Sequence, residues 1–179
     1  MKLRGLKQKD ADRMLEWMRD SYVVEKLQTD FIHKTIEDCY SFIESSQSET
    51  DIHLAIVDDS DQYMGTVSLK HITKDAAEFA IVICKDAMGK GYSIWAMREI
   101  IKIGFEKYGV EDIYWCVAAD NLRALSFYDK NHFQRVDNYR IKIAGGYTKK
   151  QIDSYIWYQV SKKEDKEGLM SNCTLRTEG

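Results

Sequence analysis

Proline is absent from this chain of 179 residues, so its turns and strand edges must be built with Gly, Asn, Asp and Ser. Four cysteines, Cys39, Cys84, Cys116 and Cys173, lie far apart, with no CxxC pair and no histidine at zinc-ligand spacing. That pattern argues for a reduced setting and against a disulfide framework or a zinc site, and no metal is expected. No window approaches the run of about 20 apolar residues that a membrane span requires. The opening MKLRGLKQKD lacks the apolar centre of a secretory leader, so a cytoplasmic protein without membrane contact is expected. A dominant charge is missing too. Twenty-six basic residues are scattered among 29 acidic ones for a formal charge of −3, without a basic stripe. Nucleic acid is therefore not an expected partner, and small partners fit better.

A chain of this length buries one core. The patterning predicts a single domain over 1–160 and a polar, weakly patterned tail over 161–179. MKLRGL reads as a strand, and KQKDADRMLEWMRD puts Ala11, Met14, Leu15 and Met18 on one helical face with Asp10 as its cap. A loop over Ser21–Lys34 leads to TIEDCYSFIESS, where Thr35 and Asp38 form a capping box and Ile36, Cys39, Tyr40 and Ile43 recur at helical spacing. IHLAIVDDSDQYMGTVSLKHI reads as two strands around the acidic turn Asp58–Asp61. AAEFAIVIC follows as a strand whose unbroken apolar run after Ala80 predicts cover on both faces. From Gly91 onward Ile94, Met97, Ile101, Phe105 and Tyr108 make the stripe of an amphipathic helix. DIYWCVAA is a further strand, and Asp120 or Asn121 caps a helix in NLRALSFYDKNH. The remainder to WYQV reads as two strands around Gly145-Gly146. The order β-α-α-β-β-β-α-β-α-β-β predicts an α/β chain of mixed α+β kind, with a central mixed, mostly antiparallel sheet flanked by helices.

The glycines of CKDAMGKGYS, Gly89 and Gly91, fall between a strand and a helix N-terminus. There, unpaired N–H groups and the helix dipole favour an anion, and glycine lets backbone approach it. GxG alone is equally an ordinary strand-to-helix turn. A Walker loop would need GxxxxGK[ST], but Lys90 sits between the glycines. A Rossmann fingerprint would need glycine where Ile94 stands, and it would open the chain's first βαβ unit.

AEFAIVICKDAMGKGYSIWAM, followed after one strand by VAADNLRALSFYDKNHF, resembles the acyl-CoA-binding half of the GCN5-related N-acetyltransferases. The branch it is most similar to contains ribosomal-protein, spermidine and amino-sugar acetyltransferases. The resemblance runs from Met1 to about Val160 and implies acetyl-CoA as co-substrate, with transfer to a primary amine by direct attack in a ternary complex. It implies that the amides of Met88, Gly89, Lys90, Gly91, Tyr92 and Ser93 hold the pyrophosphate, while Ile81, Val82 and Ile83 offer backbone to the pantetheine arm. Asp86 departs from the family pattern, which has Gln or Arg three residues before the first glycine. The departure brings a carboxylate toward a pyrophosphate.

Acetyl transfer to an amine needs a neutral amine, a polarised carbonyl and a proton for the leaving thiolate. Tyr128 matches the family position that protonates the sulfur; a phenol, with its ordinary pKa of roughly 10, keeps its proton beside a thiol of roughly 8.5. Its other reading is a packed core tyrosine. Asn121 caps its helix and, by the resemblance, lies beside the cofactor arm at the catalytic centre. Arg123 and Lys130 are expected at cofactor phosphates or as solvated helix charges. Glu78, on the face shared with Ala80 and Val82, is the expected base, since a carboxylate in such a strand is costly to bury without a purpose. A salt-bridged structural glutamate is the alternative.

The resemblance places the acceptor among Trp17, Tyr22, Asp30, Phe31, Glu78 and Tyr147, where acidic and aromatic side chains suit a cationic amine. Expected acceptors are an amino sugar or other small amine, a peptide or protein N-terminus, and a polyamine. A homodimer is compatible with this reading. The alternative from another class is a non-catalytic acyl-CoA-binding regulatory module on the same fold.

Overall fold

The computed structural model describes residues 1–27, 29–137 and 147–163. The β-branched and aromatic runs form β1 (Lys2–Gly5), β2 (Ile52–Val57), β3 (Tyr63–Lys70), β4 (Ala76–Ile83), β5 (Asp112–Ala118), β6 (Gln134–Val136) and β7 (Tyr155–Ser161). Among the described residues these make one sheet in the order β1-β2-β3-β4-β5-β7-β6. Its helices are α1 (Ala11–Met18), α2 (Ser21–Val24), α3 (Ile36–Glu44), α4 (Tyr92–Glu106), α5 (Leu122–Lys130) and α6 (Lys149–Ser154). This is the mixed, mostly antiparallel sheet expected, with two additions.

The first addition, α2, lies in the expected loop, where the Asp20 side chain accepts from Tyr22 N–H at 3.0 Å and nucleates one helical turn. The second, α6, sits between the last two strands, where a hairpin was expected. Thr148 and Gln151 form its capping box, a short-range signal that competes with the turn propensity of Gly145-Gly146. Those two glycines lie outside the described residues, as does the expected tail from residue 164 onward.

The capping box of Thr35 and Asp38 on α3 forms as expected, with Thr35 N–H donating to Asp38 at 2.8 Å. Asp10 does not cap α1. Its carboxylate is 1% exposed and accepts two hydrogen bonds from Arg4, at 2.7 and 2.8 Å, and one from Lys7 N–H at 2.9 Å. A buried carboxylate is better satisfied by a guanidinium fork than by one amide. Tyr40, expected on the buried stripe of α3, is exposed, while Cys39 and Ile43 are buried and Ile36 and Phe42 pack partly against the core.

The pairing pattern creates the site. Strands β1 to β4 run antiparallel to their neighbours, but β4 meets β5 in parallel only at Ala76, Ala77 and Glu78, opposite Asp112, Ile113 and Tyr114. Beyond Glu78 the two strands separate, while β7 follows β5 along its whole length. Ala80, Ile81 and Val82 are consequently half-buried rather than covered on both faces. The continuous apolar run reflects an opening in the sheet.

On one face α4 packs so closely that a Cβ on Gly104 would lie 2.9 Å from Ile113 Cδ1 and 3.0 Å from Leu69 Cδ1. Trp115, on the same face as Ile113, meets Tyr128 of α5 at 5.3 Å. The opposite face carries α1 and α3. There the Trp17 indole donates to the Tyr63 hydroxyl at 3.2 Å, and Phe42 packs on His53 at 4.7 Å.

Candidate active site

Three groups of residues surround the opening between β4 and β5: backbone along one wall, a loop at its end, and titratable side chains on the two faces of the sheet. The Cys84 N–H donates to Met64 O at 2.8 Å, toward β3. Antiparallel backbone groups alternate in direction, so those of Val82 also point to β3, and those of Ile81 and Ile83 face the opening. A Cβ on Gly65 would approach Val82 O to 2.3 Å, in agreement with that direction. Of the three residues expected to offer backbone to an extended ligand, Ile81 and Ile83 turn theirs to the opening and Val82 turns its to β3.

At the end of β4 a short turn, Lys85–Ala87, leads to the glycines. Gly89 has φ +74° and Gly91 φ +83°, a region that L-residues rarely enter, and a Cβ on either would meet nothing within 4 Å. Packing within the protein therefore does not require the open space over this backbone. The Met88 N–H already donates to Lys85 O at 3.2 Å, so the amides left for an anion are those from Gly89 onward. The first helical bond of α4 runs from Trp95 N–H to Gly91 O, which leaves the Tyr92, Ser93 and Ile94 amides without an intrahelical acceptor. A pyrophosphate fits this end of a 15-residue helix.

Asp86 is held by Arg13 of α1, whose Nη2 donates to its carboxylate at 2.7 Å. The carboxylate that breaks the family pattern thus has its charge compensated from another element. Arg13 also donates to Glu16 at 2.6 Å. A cleft of about 250 Å³ is lined here by Arg13, Trp17, Asp20, Cys84, Lys85 and Asp86 among others. It flanks the loop; Glu78 lies six positions back along the chain from Cys84, on the order of 20 Å at strand spacing.

Tyr128 is 6% exposed, enclosed by Trp115, Phe127, Phe133 and Tyr158. Among the described residues no hydrogen-bond partner of its hydroxyl is found. Burial, then the neighbouring Tyr158 and Cys116, push its phenol well above the ordinary tyrosine range. It therefore holds its proton at neutral pH, and its hydroxyl is a hydrogen-bond donor rather than a ready source of a transferable proton.

Glu78 lies on the opposite face at the last paired position of β4. Its Oε1 accepts from Lys70 Nζ at 2.8 Å and from the Tyr147 hydroxyl at 2.8 Å. Burial, with Cys116 and Glu78 adding to it, pushes the Tyr147 phenol far up, so this hydroxyl is the donor. Glu78 Oε2 is buried without a hydrogen-bond partner among the described residues, and His71 Nε2 lies 3.7 Å from it.

Asn121 caps α5, its side chain accepting from Ala124 N–H at 3.2 Å. Arg123 lies over the Tyr22 ring at 4.7 Å and donates to Met88 Sδ at 3.6 Å, beside the glycine loop. Lys130 is exposed in the last turn of α5, at the far end of that helix from Asn121. The expected acceptor residues do not assemble as a group. Tyr147 joins Glu78, whereas Trp17 is buried against Phe31 at 5.0 Å, and Asp30 is exposed and accepts from Ile32 N–H at 3.1 Å.

Lys70, His71 and Arg13 escaped the sequence reading. The first two could have been found by aligning the β3–β4 hairpin, which sets Lys70 opposite Glu78; Arg13 left no signal, because its partner is 73 residues away. Burial drives the Cys84 thiol up to about 12, so it supplies no thiolate nucleophile.

The chain belongs to the GNAT acetyltransferase domain family, whose model matches residues 1–134. It transfers an acetyl group from acetyl-CoA to an amine. It is 25% identical over 132 residues to acetyltransferase PseH of Campylobacter jejuni, covering 74% of this chain and 82% of that protein. Its fold matches the spermidine N-acetyltransferase of Vibrio cholerae, solved in complex with CoA and spermine. The TM-score is 0.72 and the identity 18%, over 90% of this chain and 95% of that one. The crystal structure of C. jejuni PseH matches with a TM-score of 0.61 and 21% identity, over 90% and 97% of the two chains. Among the described residues no helix is long and apolar enough to cross a membrane, and no three His, Cys, Asp or Glu side chains are grouped to hold a metal ion.

Proposed function

We propose that residues 1–160 form one N-acetyltransferase domain acting on a small primary amine, with an amino sugar as the preferred class. The observation that carries the reading is the opening between β4 and β5, with Glu78 on one face and Tyr128 on the other. Acetyl-CoA supplies the activated acetyl group. The loop amides from Gly89 to Ser93 and the α4 dipole bind its pyrophosphate, with Arg123 beside them. The backbone of Ile81 and Ile83 orients the arm along β4, and Asn121 fixes the start of α5 at the mouth of the opening.

Glu78 takes a proton from the acceptor ammonium, which frees the nitrogen lone pair for attack. Tyr128 donates a hydrogen bond to the departing sulfur on the opposite face. The C–N bond forms and the C–S bond breaks, and the second proton that the nitrogen sheds as it becomes an amide passes to the departing sulfur, which leaves as the thiol. Each turnover converts an ammonium and a thioester into an amide and a thiol and releases one proton. Because Glu78 and Tyr128 approach from opposite faces, proton removal from the amine and the hydrogen bond to the sulfur do not compete for the same space.

The surroundings of Glu78 favour a monoamine with a polar ring. Its charge is already matched by Lys70, which leaves no excess negative charge for an extended polycation. Tyr147 lies at 6.4 Å from Tyr155 and 5.4 Å from Trp157, supplying aromatic surface nearby. A thiol-release assay tests this with acetyl-CoA and a panel comprising a nucleotide-linked amino sugar, spermidine and a peptide with a free N-terminus. Fastest turnover of the amino sugar is expected; faster turnover of spermidine or the peptide would replace the acceptor class.

A further inference from the structure

The proton that Glu78 removes has to leave the protein before the next turnover, and Glu78 is poorly placed to release it. Its side chain is 6% exposed, and the oxygen not engaged by Lys70 and Tyr147 is buried with no hydrogen-bond partner among the described residues. A buried carboxylate oxygen without a donor is costly and calls for a reason. The imidazole of His71 lies 3.7 Å from that oxygen and is 44% exposed. One end of the ring therefore faces the carboxylate and the rest is open to water.

The position of that ring is fixed by the backbone. His71 follows the last residue of β3 and has φ +52°, a left-handed conformation in which His is enriched among non-glycine residues. Its N–H donates to the Asp51 carboxylate at 3.1 Å, and the next amide, Ile72 N–H, donates to Thr50 O at 2.8 Å. The charged groups facing His71 are Glu78 from β4, Lys70 from β3 and Asp51 from the segment before β2. Lys70 occupies Oε1, so the oxygen free to carry the transferred proton is the one beside the imidazole.

We propose that His71 is the proton exit of the acyl-transfer site, taking from Glu78 Oε2 the proton given up by the acceptor ammonium and releasing it to solvent. The inference rests on Glu78 as the base. The ammonium N–H bond breaks and an O–H bond forms at Glu78. That proton passes to His71 Nε2 across a gap that closes to hydrogen-bond length by a small side-chain rotation. The imidazolium then loses a proton from Nδ1 to water, which matches the one proton released per turnover. His71 does not touch substrate and acts through Glu78.

The test uses His71→Asn, because Asn tolerates the same left-handed backbone and keeps the amide bond to Asp51. With acetyl-CoA and the fastest acceptor of the panel above, kcat should fall about tenfold or more in weakly buffered solution. KM for the amine should stay within about twofold of the parent value, and added imidazole should restore much of kcat. An unchanged kcat in the variant, or a loss that imidazole does not repair, overturns the relay. In the free enzyme, the ¹⁵N resonance of His71 Nε2 should move on Glu78→Gln; an unmoved resonance means that the two side chains do not interact and also overturns it. Glu78→Gln separates the two readings. Wild-type turnover in that variant removes Glu78 as base, whereas a collapsed rate alongside an unimpaired His71→Asn removes only the exit.

Discussion

Arg13 and Asp86, 73 residues apart in sequence, are joined at 2.7 Å beside the glycine loop. In the proposed site the guanidinium would neutralise a carboxylate that otherwise repels a pyrophosphate at the N-terminus of α4. Arg13→Ala should therefore weaken acetyl-CoA binding roughly fivefold at low salt, about 1 kcal/mol for a partly exposed charge, with the penalty shrinking as salt rises. Removing Asp86 as well, in Arg13→Ala/Asp86→Ala, should restore affinity. Calorimetric titration of the four proteins of this cycle checks both statements, and additive losses would show that the pair has no such role.

Tyr128→Phe keeps the ring that packs between Trp115 and Phe133 and deletes only the hydroxyl. Thiol release should drop at least tenfold while stabilisation by acetyl-CoA persists. Unchanged turnover would remove the hydroxyl from the mechanism.

Gly91 has φ +83° with open space where a Cβ would sit. Gly91→Val meets no clash but forces a β-branched residue into a left-handed backbone, at a cost of about 1–2 kcal/mol. In a chain of this size that lowers Tm by a few degrees. The larger expected effect is functional: the rise in Tm on adding acetyl-CoA should vanish, because the valine side chain fills the space over the anion site. A full shift in the variant would move the pyrophosphate elsewhere.

Gly65→Ala meets a harder obstacle, since its Cβ would lie 2.3 Å from Val82 O and 3.1 Å from Ile83 Cα. Both atoms are backbone, so β4 itself must shift toward the opening. A loss on the order of 3 kcal/mol is expected in chemical denaturation, together with weaker acetyl-CoA binding. Wild-type behaviour on both counts would mean that β3 and β4 adjust freely.

His53 gives the pH dependence. Its ring is buried against Phe42 and bonded to Ser68 at 2.7 Å, and burial holds its pKa below the ordinary 6.5. The unfolded chain then takes up a proton first as pH falls, so stability is complete above about 6.5 and declines from there toward the folded value. The carboxylates with lowered values, such as Asp61 beside Lys9 and Arg4, add their loss only below about 3.8. Tm should fall between pH 7 and 5, and His53→Asn should flatten that slope. An equal slope in the variant would assign the effect to other groups.

Much of this was legible locally. The capping box of Thr35 and Asp38, the hairpin around Asp58–Asp61, the glycine loop and the Asn121 cap each depend on residues a few positions apart. Such features follow from backbone geometry that a short segment fixes by itself. The errors share one origin. Asp10 has the chemistry of a cap, but Arg4 claims it across the core of the N-terminal segment. The apolar run of β4 looks like a strand covered on both faces, yet its second partner leaves after Glu78.

The sequence by itself determined the order of the strands and the longer helices, the glycine loop, and the GxG and Asn-to-Tyr motifs that resemble those of the acetyltransferases, because each is a short-range pattern. Only the tertiary structure decided how far β4 and β5 pair, which backbone groups face the opening, and that Lys70, His71 and Tyr147 converge on Glu78. Those outcomes depend on strand register and on contacts between residues far apart in sequence, such as Tyr147 with Glu78. No local propensity encodes them, since each is set by the packing of whole elements against one another.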